Sequence, residues 1–156
     1  MKMLQILLFA LATSIAVPSF AQDPNSNMEI LRQKVKADKK LVVAANMNLT
    51  EAEAKTFWPI YDEYQTELRK VNEQLAAVIV NYAKEFNANT LTDDKALRLV
   101  DQMMMVEQAD TTLKQTFVPK LSKVLPGKKV ARYVQIENKI RAIVKYELAD
   151  GVPLVQ

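Results

Sequence analysis

From Phe57 to Phe86, apolar and aromatic side chains recur at steps of 4, 3, 4, 3, 4, 3, 4 and 4 residues: Phe57, Tyr61, Tyr64, Leu68, Val71, Leu75, Val78, Tyr82 and Phe86. A period near 3.6 keeps such a series on one face of an α-helix, whereas a strand would scatter it over both faces of a sheet. A continuous helix from Glu51 to Phe86 would extend about 54 Å at 1.5 Å per residue. Pro59 lies inside this run. It lacks the N–H that would bond to Lys55, so the sequence predicts a kink, or a short first piece followed by a long second one.

The punctuation agrees with helices throughout. Met28 to Ala45 carries Leu31, Val35, Leu41, Val42 and Ala45 at near-helical spacing, and Asn46-Met47-Asn48 breaks that pattern. Leu49-Thr50-x-x-Glu53 reads as a capping box: the Thr50 hydroxyl meets the Glu53 N–H, and the Glu53 carboxylate reaches back to the Thr50 N–H. Leu91-Thr92 repeats the opening signal, with Asp93 and Asp94 at the positive helix end. The third helix places Leu99, Met103, Val106, Ala109, Leu113, Phe117 and Val124 on one side. Leu125-Pro126-Gly127 stops it, and a last helix runs from about Lys128 to Leu148. Gly127 and Gly151 are the only glycines, and no segment alternates as a half-buried strand does. The expected fold is all-α: four helices, two of them long, in a single domain over residues 28–148 with a tail at 149–156.

The first 21 residues have the layout of a secretory signal peptide: a basic Met1-Lys2 start, an apolar run from Leu4 to Val17, and Ser19 and Ala21 at the small-residue positions of a cleavage site. The run is shorter than the ~20 residues that span a bilayer. Cleavage after Ala21 would leave a chain starting at Gln22, with a polar lead-in over 22–27, working in the periplasm.

Composition narrows the chemistry. There is no cysteine, so the domain is held by packing without disulfides. There is no histidine, which removes the commonest general base, the commonest zinc ligand and every Ser-His or Cys-His pair. With two glycines no Gly-rich phosphate loop can be built. These exclusions point away from an enzyme, a metal site and a cofactor. Charge is polarised along the chain: net +2 over residues 22–50, −6 over 51–113 and +6 over 114–156. Export argues against nucleic acid as the partner of the basic end. The acidic middle and basic ends can face each other in the fold, or the basic surface can meet anionic proteins or lipid headgroups.

Other clusters read as structural. Met103-Met104-Met105 point in three directions 100° apart, which suits adaptable packing better than one soft-metal site. Asp62-Glu63 and Asp93-Asp94 diverge on a helix and read as solvated or capping residues. Trp58, just off the main stripe, is either an exposed anchor or the seal of a bundle end. On the last helix Val130, Tyr133, Val134, Ile136, Ile140, Ile143, Val144 and Leu148 fill one half of the circumference. Lys128, Arg132 and Lys139 cluster within about 40° at its edge. Glu137 falls inside the apolar half, so it meets a basic partner there or that part of the face stays wet.

The paired starts Leu49-Thr50-x-x-Glu53 and Leu91-Thr92-x-x-Lys95, 42 residues apart, resemble the two LTxxQ motifs of the Spy/CpxP-like periplasmic proteins. Glu53 can stand in for the motif's Gln as an acceptor, but Lys95 cannot. The resemblance implies a thin, curved four-helix cradle that forms a homodimer. It also implies an ATP-independent chaperone or a regulator of an envelope-stress sensor. Metal-binding relatives use His-rich segments, and this His-free chain does not carry that role over. The strings Phe57-Trp58-Pro59-Ile60-Tyr61 and 133–139 look like a distinct branch. The expected function is a chaperone-like protein that holds unfolded or envelope polypeptides on an amphipathic surface edged by Lys128, Arg132 and Lys139. The alternative is a regulatory adaptor of a sensor or transporter.

Overall fold

The computed structural model describes residues 38–155. The expected leader over 1–21, the lead-in over 22–27 and residues 28–37 of the expected first helix lie outside the described residues. Four helices follow in order: α1 over residues 38–47, α2 over Glu51–Asn87, α3 over Asp93–Ser122 and α4 over Gly127–Gly151. Among the described residues there is no strand. The fold is all-α. α4 begins one residue earlier and ends three residues later than its expected 128–148.

Neither internal proline divides its helix: α2 runs through Pro59 and α3 through Pro119. Both prolines are exposed, as are Lys55 and Gln115 four residues earlier, whose carbonyls lose their usual partner. On that face water can take the released carbonyls, so the lost bond is not buried. The chain reverses at Asn48 and Asn89, whose φ values of 48° and 55° place them in the left-handed region. Asparagine tolerates that region better than most residues, which lets a chain poor in glycine make both turns.

α3 runs antiparallel to α2 and α4, so the bundle has a proximal end, where α1 lies, and a distal end where α4 finishes. The core is proximal. Val43 and Met47 of α1 are fully buried against Phe57, Tyr61, Tyr64 and Leu68 of α2, Phe117 and Leu121 of α3, and Val130, Tyr133 and Ile140 of α4. Tyr133 sits edge-on to three rings of α2, with centroids 5.2 Å from Phe57, 6.2 Å from Tyr61 and 6.0 Å from Tyr64. Trp58 seals this end: partly buried, it packs on Phe57 and Tyr61 with the Lys40 ammonium 5.1 Å from its ring. That settles its two sequence readings in favour of the seal.

Glu137 meets a basic partner inside the core. It is 2% exposed; its carboxylate takes a 2.7 Å salt bridge from Lys39 of α1 and a 2.9 Å hydrogen bond from Gln65 Nε2 of α2. Lys39 also donates to Gln65 Oε1 at 2.8 Å, closing a three-residue ring that ties three helices together. Burial, and then the Glu137 charge, push the Tyr133, Tyr61 and Tyr64 hydroxyls above their usual titration range. The charge polarity of the sequence resolves the same way. Acidic side chains of the middle pair with basic ones from both ends: Asp62 with Lys40, Glu63 with Lys120, Glu53 with Lys129, Asp110 with Arg141 and Glu107 with Lys145.

Replacing Lys39 alone leaves Glu137 buried with neutral groups, the Gln65 amide and the Tyr133 hydroxyl, as its hydrogen-bond partners. Lys39→Met should lower stability by about 3 kcal/mol, as removing one partner of a buried pair does. Lys39→Met with Glu137→Met should recover most of the loss. Urea melts of the two variants check this, and equal losses would show that the Glu137 charge is not what Lys39 stabilises.

A candidate apolar binding groove

The two Leu-Thr motifs sit at opposite ends of the bundle. At the proximal end the Thr50 hydroxyl accepts from the Glu53 N–H at 3.3 Å and the Glu53 carboxylate accepts from the Thr50 N–H at 2.8 Å, a complete capping box. Lys129 of α4 bonds the same carboxylate and donates to the Asn48 carbonyl at 2.9 Å. The cap thus also anchors the start of α4. Leu49 packs on the core beside it. At the distal end Thr92 accepts from the Lys95 N–H at 3.4 Å, but no reciprocal bond forms, because an ammonium has no acceptor for the Thr92 N–H; Lys95 donates instead to Glu85 and to the Thr90 carbonyl. Leu91 does not join the core; it lines a groove.

That groove, about 460 Å³ in volume, lies between the distal halves of the three long helices. α2 contributes Leu75, Val78, Ile79 and Tyr82, the continuation of its apolar stripe past the last fully buried position at Val71. α3 contributes Ala96, Leu99, Val100 and Met103, and α4 contributes Leu148 and Ala149. Val152 and Val155, beyond α4, close one side. The charged liners are Glu107 and Lys145, which face each other at 3.6 Å and are both half-exposed. Tyr82 turns its hydroxyl to the Pro153 carbonyl at 2.8 Å, so its polar atom is satisfied.

The groove opens onto further apolar surface. Leu97, Val100 and Met104 are 64%, 53% and 62% exposed and fall within about 60° of one another on α3, beside the stripe that packs inward. A contiguous exposed patch of this kind marks a site of interaction more often than scattered single residues do. Sequence reasoning chose only the inward stripe of α3. The signal it passed over is the second apolar arc, too wide for one packed face. Of the methionine triple, Met103 lines the groove while Met104 and Met105 are exposed.

The basic residues proposed from sequence lie elsewhere. Lys128, Arg132 and Lys139 are exposed on the first half of α4. Arg132 and Lys139 border a shallow depression of about 300 Å³ with Ala45, Asn46, Asn48, Gln135 and Ile136. Most of the apolar half of α4 that they edge is turned inward: Val130, Tyr133, Ile140 and Ile143 are buried, while Val144 is exposed. It is core and not a free surface, because α1, α2 and α3 all pack on it. The open apolar surface is at the other end of the same helix.

Among the described residues no group of three His, Cys, Asp or Glu side chains is placed to hold a metal ion, and no helix is long and apolar enough to cross a membrane. Comparison with protein-family models, with curated proteins and with solved structures gave no match.

The cap differs measurably between the two motifs. Thr50→Ala should lower stability by ~1 kcal/mol, the usual effect of losing an N-cap, and Thr92→Ala by less, since its box is incomplete. Lys129 and then the Thr50 N–H hold the Glu53 carboxyl below the ordinary carboxylate range. A depressed pKa contributes stability that is present above the unfolded value and is lost as pH falls through that range toward the folded one. Lys129→Met should therefore be less stable than the parent at neutral pH, with the gap closing as the carboxylate protonates. Urea midpoints measured at neutral pH and at about pH 3 check the convergence.

Proposed function

We propose that this chain is an ATP-independent, chaperone-like binding protein of the periplasm, exported through cleavage after Ala21, which holds apolar polypeptide segments in its distal groove. The observation that carries this reading is a volume of about 460 Å³, lined almost wholly by aliphatic side chains and opening onto the exposed Leu97, Val100 and Met104. Size and lining fall in the range of ligand-binding clefts. Apolar walls with few fixed polar groups impose little sequence preference, which suits many clients better than one substrate. The Spy/CpxP-like resemblance of the two Leu-Thr motifs supports the same class of activity, as an analogy of motif and helical layout.

The basic stripe of Lys128, Arg132 and Lys139 keeps a separate role in this reading. Set apart from the groove, it speeds the approach of acidic clients and adds little to their retention, because charge steers encounter and burial sets residence. A regulatory adaptor for a sensor or transporter would use the same groove for a single partner.

Without ATP, the mature chain should suppress aggregation of a denatured model protein at a few-fold excess. Leu97→Glu with Val100→Glu should weaken suppression several-fold at unchanged helix content, as both side chains are exposed. Lys128→Glu, Arg132→Glu and Lys139→Glu together should reduce suppression of an acidic client at low salt and converge on the parent at high salt. Failure against several clients, with capture of one recurring envelope protein, would replace the chaperone by the adaptor. Intact mass of periplasmic material should begin at Gln22; retention of Met1 in the membrane fraction would remove the export reading.

A further inference from the structure

The segment that follows α4 is already seated in the groove. Pro153 lacks the N–H to extend a helix and biases the residue before it toward extended backbone; Val152 takes φ −103° and ψ 114°. The chain continues without regular structure over residues 153–155, where the Tyr82 hydroxyl of α2 donates to the Pro153 carbonyl at 2.8 Å. Val152 and Val155 line the groove, while Leu154 between them is 88% exposed. Residues 152–155 thus form a non-helical apolar stretch lying against the apolar walls, pinned at its middle by a hydrogen bond to its backbone. A backbone carbonyl held by a side-chain hydroxyl, with aliphatic groups on either side of it, combines on a small scale the two elements by which extended peptides are held, a main-chain hydrogen bond and side-chain contacts with a groove.

We propose that residues 152–155 are a resident competitor of the distal groove, and that the groove's ligand is an extended, aliphatic, proline-tolerant polypeptide segment that binds by displacing them. This rests on the groove being the binding site proposed above and adds its ligand chemistry and its regulation. The seat is incomplete: Val155 remains 60% exposed and about 460 Å³ of groove is unfilled. Such a strap is held weakly enough to leave and firmly enough to compete. Its occupancy lowers the apparent affinity for any other segment by the fraction of time the groove is open.

The absence of cysteine makes the test direct. A single Leu154→Cys carries a nitroxide label at an exposed position, and a fluorescein-labelled peptide with the sequence of residues 149–155 serves as ligand. Val152→Ser with Val155→Ser should free the strap, increasing label mobility and tightening peptide binding about tenfold, as expected if the strap occupies the groove nine-tenths of the time. Tyr82→Phe, which removes only the pinning bond, should fall between the parent and this double variant. Adding Leu99→Glu to the freed chain should abolish peptide binding. Unlabelled peptide added to the labelled parent should mobilise the nitroxide.

Affinity of the freed chain within twofold of the parent, or no peptide binding by either, would overturn the proposal. So would a label whose mobility does not respond to the Val152 and Val155 substitutions. Peptide displacement without suppression of aggregation would instead leave the strap standing and remove the chaperone reading.

Discussion

The fold turns on a mismatch between the length of one apolar stripe and the helices that cover it. α2 carries its inward face from Phe57 through Tyr82 and on to Phe86, yet its fully buried positions end at Val71. Over the proximal half four helices converge, and Val43 and Met47 of α1 fill the space between Phe57, Tyr61 and Tyr133. The described residues of α1 reach only to the level where Lys39 meets Gln65 and Glu137. Beyond that level, among the described residues, three helices enclose a volume that their side chains do not fill. Aliphatic groups there are half-covered, each forgoing part of the roughly 25 cal/mol per Å² that complete burial would contribute. Among the described residues, the groove lies where the continuous stripe extends past the helices that bury it.

Electrostatics fixes how the cover is placed. A buried carboxylate is expensive unless paired, so Glu137 in the core admits only arrangements that bring Lys39 and Gln65 to it. This sets the register of α1 against α2 and α4. The exposed pairs contribute little individually, while Asp110 and its Arg141 partner are largely buried, and the pattern is consistent: Lys120 to Glu63 and Lys129 to Glu53 at the proximal end, Arg141 to Asp110 in the middle, and Lys145 to Glu107 beside the groove. The alternation of charge along the chain, acidic in α2 and α3 and basic on either side, is the linear trace of these helix contacts.

Much of this could be read from residues alone, and the reasons for the rest are physical. The α2 stripe, the Thr50 capping box and the stop at Leu125-Pro126-Gly127 are local signals, and each appears in the structure where its chemistry places it. From sequence, Pro59 predicts a kink or a division because a lone helix has no other way to handle the missing N–H. An exposed proline within a helix held by tertiary packing needs only water for the released carbonyl. The apolar half of α4 was offered as a binding face because periodicity tells which residues share a side and not which side is already occupied. Leu97, Val100 and Met104 were passed over for the related reason that a second apolar arc looks like noise until the first is seen to be full.

The division between the two ends also bears on how the proposed binding could coexist with stability in one small domain. A protein that exposes aliphatic surface risks collapsing that surface into its own core. Here the determinants of a unique core are proximal: four interlocked aromatic rings, the Glu137 ring of polar bonds, and the Lys129 link to the Thr50 cap. None of them involves a residue that lines the groove. The distal end holds fewer fully buried contacts and an incomplete capping box, so it belongs to the low-stability part of the molecule, where local opening costs least. Opening there would widen the groove without disturbing Tyr133 or Glu137. A second segment entering between α2, α3 and α4 would cover the aliphatic groups that the bundle leaves half-buried. Occupancy of the groove and stability of the distal end are then linked quantities, each raising the other.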